Sequence, residues 1–375
     1  FYVIKDAARQ LQEDLPWSYY RVLPKLEGGS HSGRPRVFSL ISHLADRTDN
    51  VLDEQNLWVF TSAFQEVAAL QLSELWALPA MMRLVLLQRL SALGAQLSDT
   101  LAERDEAERW AQRVADRAAK DPSEVVFELA EMAERFAPLP GSFVVTLTSA
   151  LRAQGPVATP ALEWLERRLT SRHTTLEEVI RRETQRQTHR QASVANAILS
   201  LRRAADIDWS TLIESLSVVD RTLQQDPPGI YPRMDFPTRD RYRHVVEDLA
   251  RYSKATEVGV AERAILMAEM AAGEADAPPV GDGAPAVTPR EAVMPLEAHI
   301  GYWLVGRGRK ALEAEVQYRP PLRWRPVRFG RRRPALTYIG MVSTLFLLLM
   351  TGAWVVASGT GALGWRFVLA LAAAF

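Results

Sequence analysis

The sequence predicts an all-α protein in which a multi-helix soluble domain is followed by transmembrane helices. Three observations predict this class: helix-starting residues recur along the chain, extended β-branched runs are nearly absent, and a long uncharged apolar run lies near the C-terminus. The one convincing β-branched run, at 143–147 (FVVTL), is short and is followed by helical periodicity, so we assign it to a helix.

The composition is that of a folded protein. Of 375 residues, 47% are hydrophobic and 24% are charged, which is too apolar for a disordered chain. The absence of cysteine excludes disulfides, thiolate metal sites and cysteine nucleophiles, and it fits a reducing cytoplasm. The chain begins at Phe1 and ends inside an apolar run, so we interpret it as a piece of a longer protein.

Residues 1–272 are predicted to form a cytoplasmic helical domain. Within it, leucines at helical spacing from Leu84 to Leu101 predict a long helix, and its charged end, Glu103 to Lys120, is interpreted as a solvated or coiled-coil-like arm. One further helix is predicted from Trp209 to about Gln225, where the turn Asp226-Pro227-Pro228-Gly229 ends it. The residues predicted to cap helix N-termini are Asp53, Asp121, Thr159, Thr174, Asp208, Thr238 and Thr256.

The domain is followed by a change in composition. Residues 273–289 are rich in Ala, Pro, Gly and Asp and are predicted to be a flexible linker. Residues 290–333 are predicted to contain one helix, about Ile300 to Val316, and an Arg-rich juxtamembrane segment. Seven arginines and no acid lie between Arg319 and Arg333.

The apolar run at 334–357 is long enough for a transmembrane helix, which needs about 20 residues. A buried core helix is the alternative. After a glycine-rich turn, residues 365–375 are predicted to start a second, truncated transmembrane helix. The residues expected at the membrane interface are Arg328, Arg331, Arg332, Arg333, Tyr338 and Trp354.

The arginines could contact acidic lipid head groups or nucleic acid. Prolines interrupt any regular helix among them and the apolar run follows at once, so we expect lipid contact and no nucleic acid. Because positive charge is retained on the inner side, the soluble part is predicted to be cytoplasmic.

Two short motifs resemble ligand sites. Gly306-Arg307-Gly308-Arg309-Lys310-Ala311 matches the dinucleotide fingerprint, but no second strand follows to complete a βαβ unit. Asp206-Ile207-Asp208 resembles a metal-binding D-x-D motif, but it lies between two predicted helices, where Asp208 would serve as an N-cap.

The six histidines do not show the spacing of metal ligands, and no H-E-x-x-H or G-x-S-x-G motif is present. The residues therefore predict no catalytic site, cofactor site or metal site in this segment.

Several segments resemble the N-terminal region of bacterial cyclic β-1,2-glucan synthases. The most specific is Met234-Asp235-Phe236-Pro237-Thr238-Arg239-Asp240-Arg241-Tyr242-Arg243-His244, continuing to Arg251. Others are 2–10 (YVIKDAARQ), 20–26 (YRVLPKL), 73–76 (SELW), 159–165 (TPALEWL), 208–209 with 214–220 (DW, ESLSVVD), 301–308 (GYWLVGRG) and 318–321 (YRPP).

The resemblance implies a very large bacterial inner-membrane enzyme with a cytoplasmic N-terminal region. Membrane helices, a glycosyltransferase domain using UDP-glucose and a divalent metal, and transglycosylase and phosphorylase-like domains would follow. No residue of this chain matches the catalytic residues of those domains, which we expect beyond Phe375.

We therefore expect a non-catalytic scaffold or regulatory part, which also enters the membrane, of a synthase that polymerises glucose from UDP-glucose. The alternative is a membrane-tethered helical interaction or sensor module without enzymatic activity; a transporter fits less well. The expected partners are membrane lipids, the downstream domains of the same polypeptide and a second copy of the chain.

Overall fold

The computed structural model describes residues 2–276, 295–319 and 334–360, and these residues confirm the all-α class. In the described residues, β-type backbone pairing is limited to one isolated antiparallel bridge, between Lys25 and Pro35. The chain divides into two compact units, Phe1–Arg221 and Thr222–Phe375.

The first unit is built from α1 to α11, and α12 contains the boundary between the units. The helices are α1 (Tyr2–Asp14), α2 (Trp17–Val22), α3 (Arg36–Arg47), α4 (Glu54–Gln65), α5 (Leu72–Trp76), α6 (Leu78–Lys120), α7 (Val125–Arg135), α8 (Gly141–Ala153), α9 (Thr159–Thr170), α10 (Leu176–Arg203), α11 (Trp209–Leu216) and α12 (Val218–Leu223). The second unit contains α13 (Phe236–Arg251), α14 (Glu257–Asp276), α15 (Ile300–Leu304), α16 (Arg309–Glu315) and α17 (Pro334–Thr360).

The long helix α6 passes through two hydrophobic cores of the first unit. Its first turns bury Leu78, Met81 and Leu86 against α3, α4, α5 and the C-terminal part of α10. Its last turns bury Trp110 and Val114 against α7, α8 and α9.

The interpretation of Glu103 to Lys120 as a solvated or coiled-coil-like arm is therefore wrong. Apolar residues, most of them alanine, recur among the charges at helical spacing, and they form a narrow stripe that faces the second core. The buried members of this stripe are Ala107, Trp110, Ala111, Val114 and Ala118.

Most of the predicted helix caps are confirmed. The side chains of Asp53 and Asp121 accept hydrogen bonds from the backbone N–H of Asn56 and Ser123, each at 2.9 Å. Asp208 accepts from the Thr211 N–H at 3.2 Å, and Thr256 from the Gly259 N–H at 3.1 Å.

Three predicted caps are wrong. Thr159 is the first residue of α9, and the N-cap position is occupied by Ala158, without a side-chain cap. The cap of α10 is Thr175, which accepts from the Glu178 N–H at 3.2 Å, and not Thr174. Thr238 lies inside α13, which begins at Phe236 because Pro237 occupies the first turn, a position that proline favours.

Three predicted helix bounds also change. The helix expected from Trp209 to Gln225 is interrupted at Ser217, whose extended backbone lets its hydroxyl cap the Asp220 N–H at 3.0 Å. Helix α14 continues to Asp276, so the first residues of the predicted linker are helical and the rest of it, 277–289, lies outside the described residues. The helix expected from Ile300 to Val316 is divided by a turn between α15 and α16.

Helix α17 contains the apolar segment predicted to cross a membrane. Its large side chains are exposed and not packed in a core; Tyr338 is 73% and Met341 76% exposed. Among the described helices, none has both the length and the hydropathy required of a membrane-spanning helix. The membrane crossing therefore stays a prediction.

Candidate functional site: the Asp226–His299–Tyr242 cluster

The turn after α12 places a carboxylate inside the second unit. Pro227 and Pro228 prevent the helix from continuing, and Gly229 closes the turn with φ +61 and an N–H bond to the Asp226 carbonyl at 2.8 Å. The Asp226 side chain is fully buried. Its Oδ2 accepts from the N–H groups of Ile230 at 3.0 Å and Tyr231 at 3.1 Å.

Two groups from a distant part of the chain complete the shell around this carboxylate. His299 Nδ1 lies 2.9 Å from Asp226 Oδ2, and the Ile300 N–H donates to Oδ1 at 3.0 Å. Because both carboxylate oxygens only accept, we assign the proton to His299 Nδ1. The other ring nitrogen, Nε2, lies 3.4 Å from the Tyr242 hydroxyl on α13.

The electrostatics keep this carboxylate ionised. Burial by itself raises the pKa of Asp226, but the hydrogen bonds from His299 and from the Ile300 and Tyr231 N–H groups outweigh it, so the pKa is lowered. Burial, and then the charge of Asp226, raise the pKa of Tyr242, so its phenol stays protonated.

An Asp–His pair of this geometry could orient an imidazole for general-base chemistry. Here Nε2 faces the Tyr242 hydroxyl, and the Gly301 backbone approaches both groups so closely that a Cβ there would lie 2.5 Å from Nε2. The cluster joins the Asp226 turn, α13 and the start of α15. No group of His, Asp or Glu side chains suited to a metal ion occurs in the described ranges.

The glycines of the dinucleotide-like motif serve close packing. A Cβ at Gly308 would lie 2.6 Å from Trp303 Cε3, and one at Gly306 would lie 2.8 Å from the Tyr302 carbonyl oxygen. The Trp303 ring is fixed by its Nε1–H bond to the Glu297 carbonyl at 2.7 Å. The motif runs from the turn after α15 into the first residues of α16, so a helix and not a strand precedes it.

The chain after α16 is fastened to α13 up to the start of the Arg-rich segment. The Tyr318 hydroxyl donates to Asp248 Oδ2 at 3.3 Å, and Arg309 reaches the same oxygen at 3.4 Å. The Arg319 N–H donates to the Tyr252 carbonyl at 2.7 Å.

A known enzyme is similar in sequence to almost the whole of this chain. The chain is 31% identical over 354 residues to the cyclic beta-(1,2)-glucan synthase NdvB of Rhizobium meliloti. The resemblance to cyclic β-1,2-glucan synthases is confirmed. The matched region makes up 93% of this chain but spans only 12% of the length of NdvB. No family model matches the chain.

The segments that resemble the glucan synthases form structural contacts in both units. In 73–76, the fully buried Glu74 pairs with Arg36, whose Nε lies 3.0 Å from Glu74 Oε1, and the Ser73 carbonyl accepts from the Tyr19 hydroxyl at 2.6 Å. In the Met234 to Arg251 segment, α13 buries Tyr242, the member of the cluster. These two segments therefore contribute residues that stabilise the fold.

A second polar cluster lies in the first unit. Ser193 on α10 donates to Asp49, and its hydroxyl lies 3.0 Å from His189 Nδ1. Asp49 and Asn50 have φ of 49 and 65, a left-handed conformation that Asp and Asn tolerate better than most residues. Ser200 stabilises this loop by donating to the Asn50 carbonyl at 2.7 Å.

The residue types of this second cluster match a hydrolase triad, but the order does not. In a triad the histidine bridges serine and aspartate, whereas here Ser193 lies between the other two. Together with the bond from Asn196 to the Asp49 carbonyl at 3.0 Å, the arrangement indicates that α10 holds the loop.

The residues singled out from the sequence have these positions. Asp208 caps α11, which lowers its pKa through the hydrogen bonds from Thr211, and Asp206 lies exposed in the preceding turn. Tyr338 and Trp354 are exposed on α17. Four arginines of the predicted membrane interface lie outside the described residues, as does 365–375; they are Arg328, Arg331, Arg332 and Arg333.

The sequence pattern did not reveal the contacts of His299 and His189, because their aspartate partners are 73 and about 140 residues away.

Proposed function

We propose that this chain is the N-terminal, non-catalytic scaffold of a cyclic β-1,2-glucan synthase-like enzyme that polymerises glucose from UDP-glucose. The observation that carries the proposal is the similarity to NdvB, which covers 93% of this chain and 12% of that enzyme. Such a match is expected when one region of a long enzyme is compared with the whole. UDP-glucose and a divalent metal would be bound by domains that follow this region.

The polar clusters support a scaffold role. The two clusters described above bind backbone groups of their own unit: Asp226 accepts from three N–H groups, and α10 holds the Asp49 loop. These hydrogen bonds stabilise loops of the fold.

Helix α17 supports the proposal that the chain also enters the bacterial inner membrane. Exposed large apolar side chains occur at successive positions and so cover more than one face of the helix, a pattern typical of a buried or membrane-spanning helix. They are Tyr338, Ile339, Met341, Val342, Leu345, Leu347, Leu348, Leu349 and Trp354. The preceding arginines, Arg328 and Arg331 to Arg333, would contact acidic lipids and keep the soluble part in the cytoplasm.

The alternative of an enzyme-free interaction or sensor module loses its supporting observation. It was motivated by the charged segment Glu103 to Lys120, but that segment packs Trp110 and Val114 into the second core of its own unit. Several of its charges form ion pairs within the same unit, as in Arg113 with Glu128 at 2.6 Å.

The experiment that tests the proposal measures glucose transfer from radiolabelled UDP-glucose in the presence of Mg²⁺ or Mn²⁺. We expect no labelled glucan from the purified chain, whereas membranes containing complete NdvB serve as the positive control. Labelled product from the chain alone would overturn the non-catalytic assignment.

A second arm tests the scaffold role itself. NdvB is prepared without the region that matches this chain, and its amount in the membrane is checked by immunoblot. We expect glucan synthesis to be lost; synthesis at the wild-type level by a membrane-inserted deletion variant would contradict a scaffold role.

A further inference from the structure

A cavity of about 220 Å³ opens in the first unit where the end of α9 and the N-terminal half of α10 meet the first turn of α8. Four arginines line it: Arg168 from the end of α9, Arg172 from the turn that follows, and Arg182 and Arg186 from α10. One acid, Glu183, is also part of the lining. The wall of the cavity thus carries an excess of positive charge.

Arg168, near the end of α9, and Arg172, in the turn that follows, carry uncompensated charge. Over the described part of the chain, neither Arg168 nor Arg172 forms an ion pair with an acid. On α10, Arg182 pairs with Glu178, which does not line the cavity, and Arg186 lies 3.9 Å from Glu183.

The carboxylate of Glu183, the single acid of the cavity lining, lies against the first residue of α8. The Glu183 side chain is 8% exposed, and a Cβ built on Gly141, the first residue of α8, would lie 3.1 Å from its Oε2. Helix α8 begins after Pro140 without a side-chain cap, so the carboxylate complements the partial positive charge of that helix end. Arg168 and Arg172 therefore remain available for an external anion.

We propose that this cavity binds a phosphate-bearing anion, a phosphomonoester or a diphosphate. The planar guanidinium group donates two parallel hydrogen bonds to phosphate oxygens, and several arginines favour an anion with more than one charge. The volume lies below the range of about 300–1,000 Å³ of sites for drug-sized ligands, so the cavity holds the phosphate group while the rest of a larger molecule stays outside.

The test is a calorimetric titration of the full chain, in a neutral detergent, with inorganic pyrophosphate. The variant Arg168→Ala with Arg172→Ala removes the two unpaired charges, and we expect binding to weaken roughly tenfold or more. The matched control is Arg167→Ala with Arg181→Ala, which removes two exposed arginines of the same helices that do not line the cavity. The control variant is expected to bind as the wild type does.

A charge-conserving variant keeps the test valid if the alanine variant fails to fold. Arg168→Lys with Arg172→Lys retains the positive charge but loses the bidentate hydrogen bonds of the guanidinium groups. Its affinity for pyrophosphate should therefore fall between those of the wild type and the alanine variant. Circular dichroism confirms that each variant is folded.

The source of the phosphate group is distinguished by a second titrant, a short-chain phosphatidic acid. Arginine-dependent binding of pyrophosphate assigns the site to a soluble ligand, and arginine-dependent binding of the lipid alone assigns it to a lipid head group; either result supports the site. Absence of both, or equal loss in the alanine variant and its matched control, would overturn it.

Discussion

Asp226 and His299 lie 73 residues apart in the sequence, and their side chains meet at 2.9 Å inside the second unit. The contact joins the turn before α13 to the start of α15. Because the carboxylate is fully buried and also accepts three backbone N–H groups, it organises the segment that leads toward the Arg-rich region.

Replacing Asp226 by Asn tests the importance of this carboxylate. The amide keeps the size of the side chain but presents an N–H group to donors, so we expect the free energy of unfolding to fall by about 2–4 kcal/mol. Urea unfolding followed by circular dichroism measures the change. Asp235→Asn, at an exposed position of the same unit whose side chain makes no cap bond, should have almost no effect; equal losses in both variants would contradict a special role for Asp226.

The lowered pKa of Asp226 predicts how the stability of the protein depends on pH. A carboxylate whose pKa is lower in the folded than in the unfolded protein contributes stability above the unfolded value, about 3.9, and this contribution is lost as the pH falls through the folded value. We expect the stability difference between the wild type and Asp226→Asn to shrink as the pH falls below about 4. A difference that is unchanged at low pH would show that the charge of Asp226 contributes nothing.

Gly301 should tolerate no side chain. A Cβ there would lie 2.5 Å from His299 Nε2, so Gly301→Ala must displace the imidazole or the Tyr242 phenol. We expect the free energy of unfolding to fall by about 1–3 kcal/mol, the usual effect of overpacking. Gly273→Ala is the control: this helical glycine has open space around it, so alanine should be neutral or slightly stabilising. The interpretation fails if the two variants unfold alike.

Trp110 tests whether the charged end of α6 is part of a core. This side chain is 2% exposed and packs with the second core, so Trp110→Ala should reduce the free energy of unfolding by about 3–5 kcal/mol. Glu108→Ala, at an exposed position one residue before Arg109, should change it little. A solvated arm would instead give small effects for both variants.

Local signals predicted the helices better than their bounds. The caps at Asp53, Asp121 and Asp208 were readable because each depends on residues two or three positions away. The break at Ser217 also had a local signal, since Ser217 and Asp220 have the spacing of a capping box, but continuous apolar periodicity concealed it.

The features that the sequence did not reveal depend on distant partners. The stripe at Ala107, Trp110 and Val114 is narrow and lies among charges, so only the packing of α8 and α9 shows that it is buried. The Asp226–His299 pair and the arginine-lined cavity each bring together side chains from separate helices or turns, and no spacing rule predicts such pairs.

The most direct test of the central claim measures where the chain lies in a bacterial cell. Because the sequence has no cysteine, Ser98→Cys on the exposed surface of α6 introduces a single thiol. We expect the protein to stay in the membrane pellet after alkaline carbonate extraction, and the thiol to react with a membrane-impermeant maleimide only after the cells are permeabilised. Leu345→Arg with Leu348→Arg, which places charge in α17, should release the protein from the pellet. Release of the unmodified chain by carbonate, or labelling of the thiol in intact spheroplasts, would contradict a membrane-anchored scaffold with a cytoplasmic soluble part.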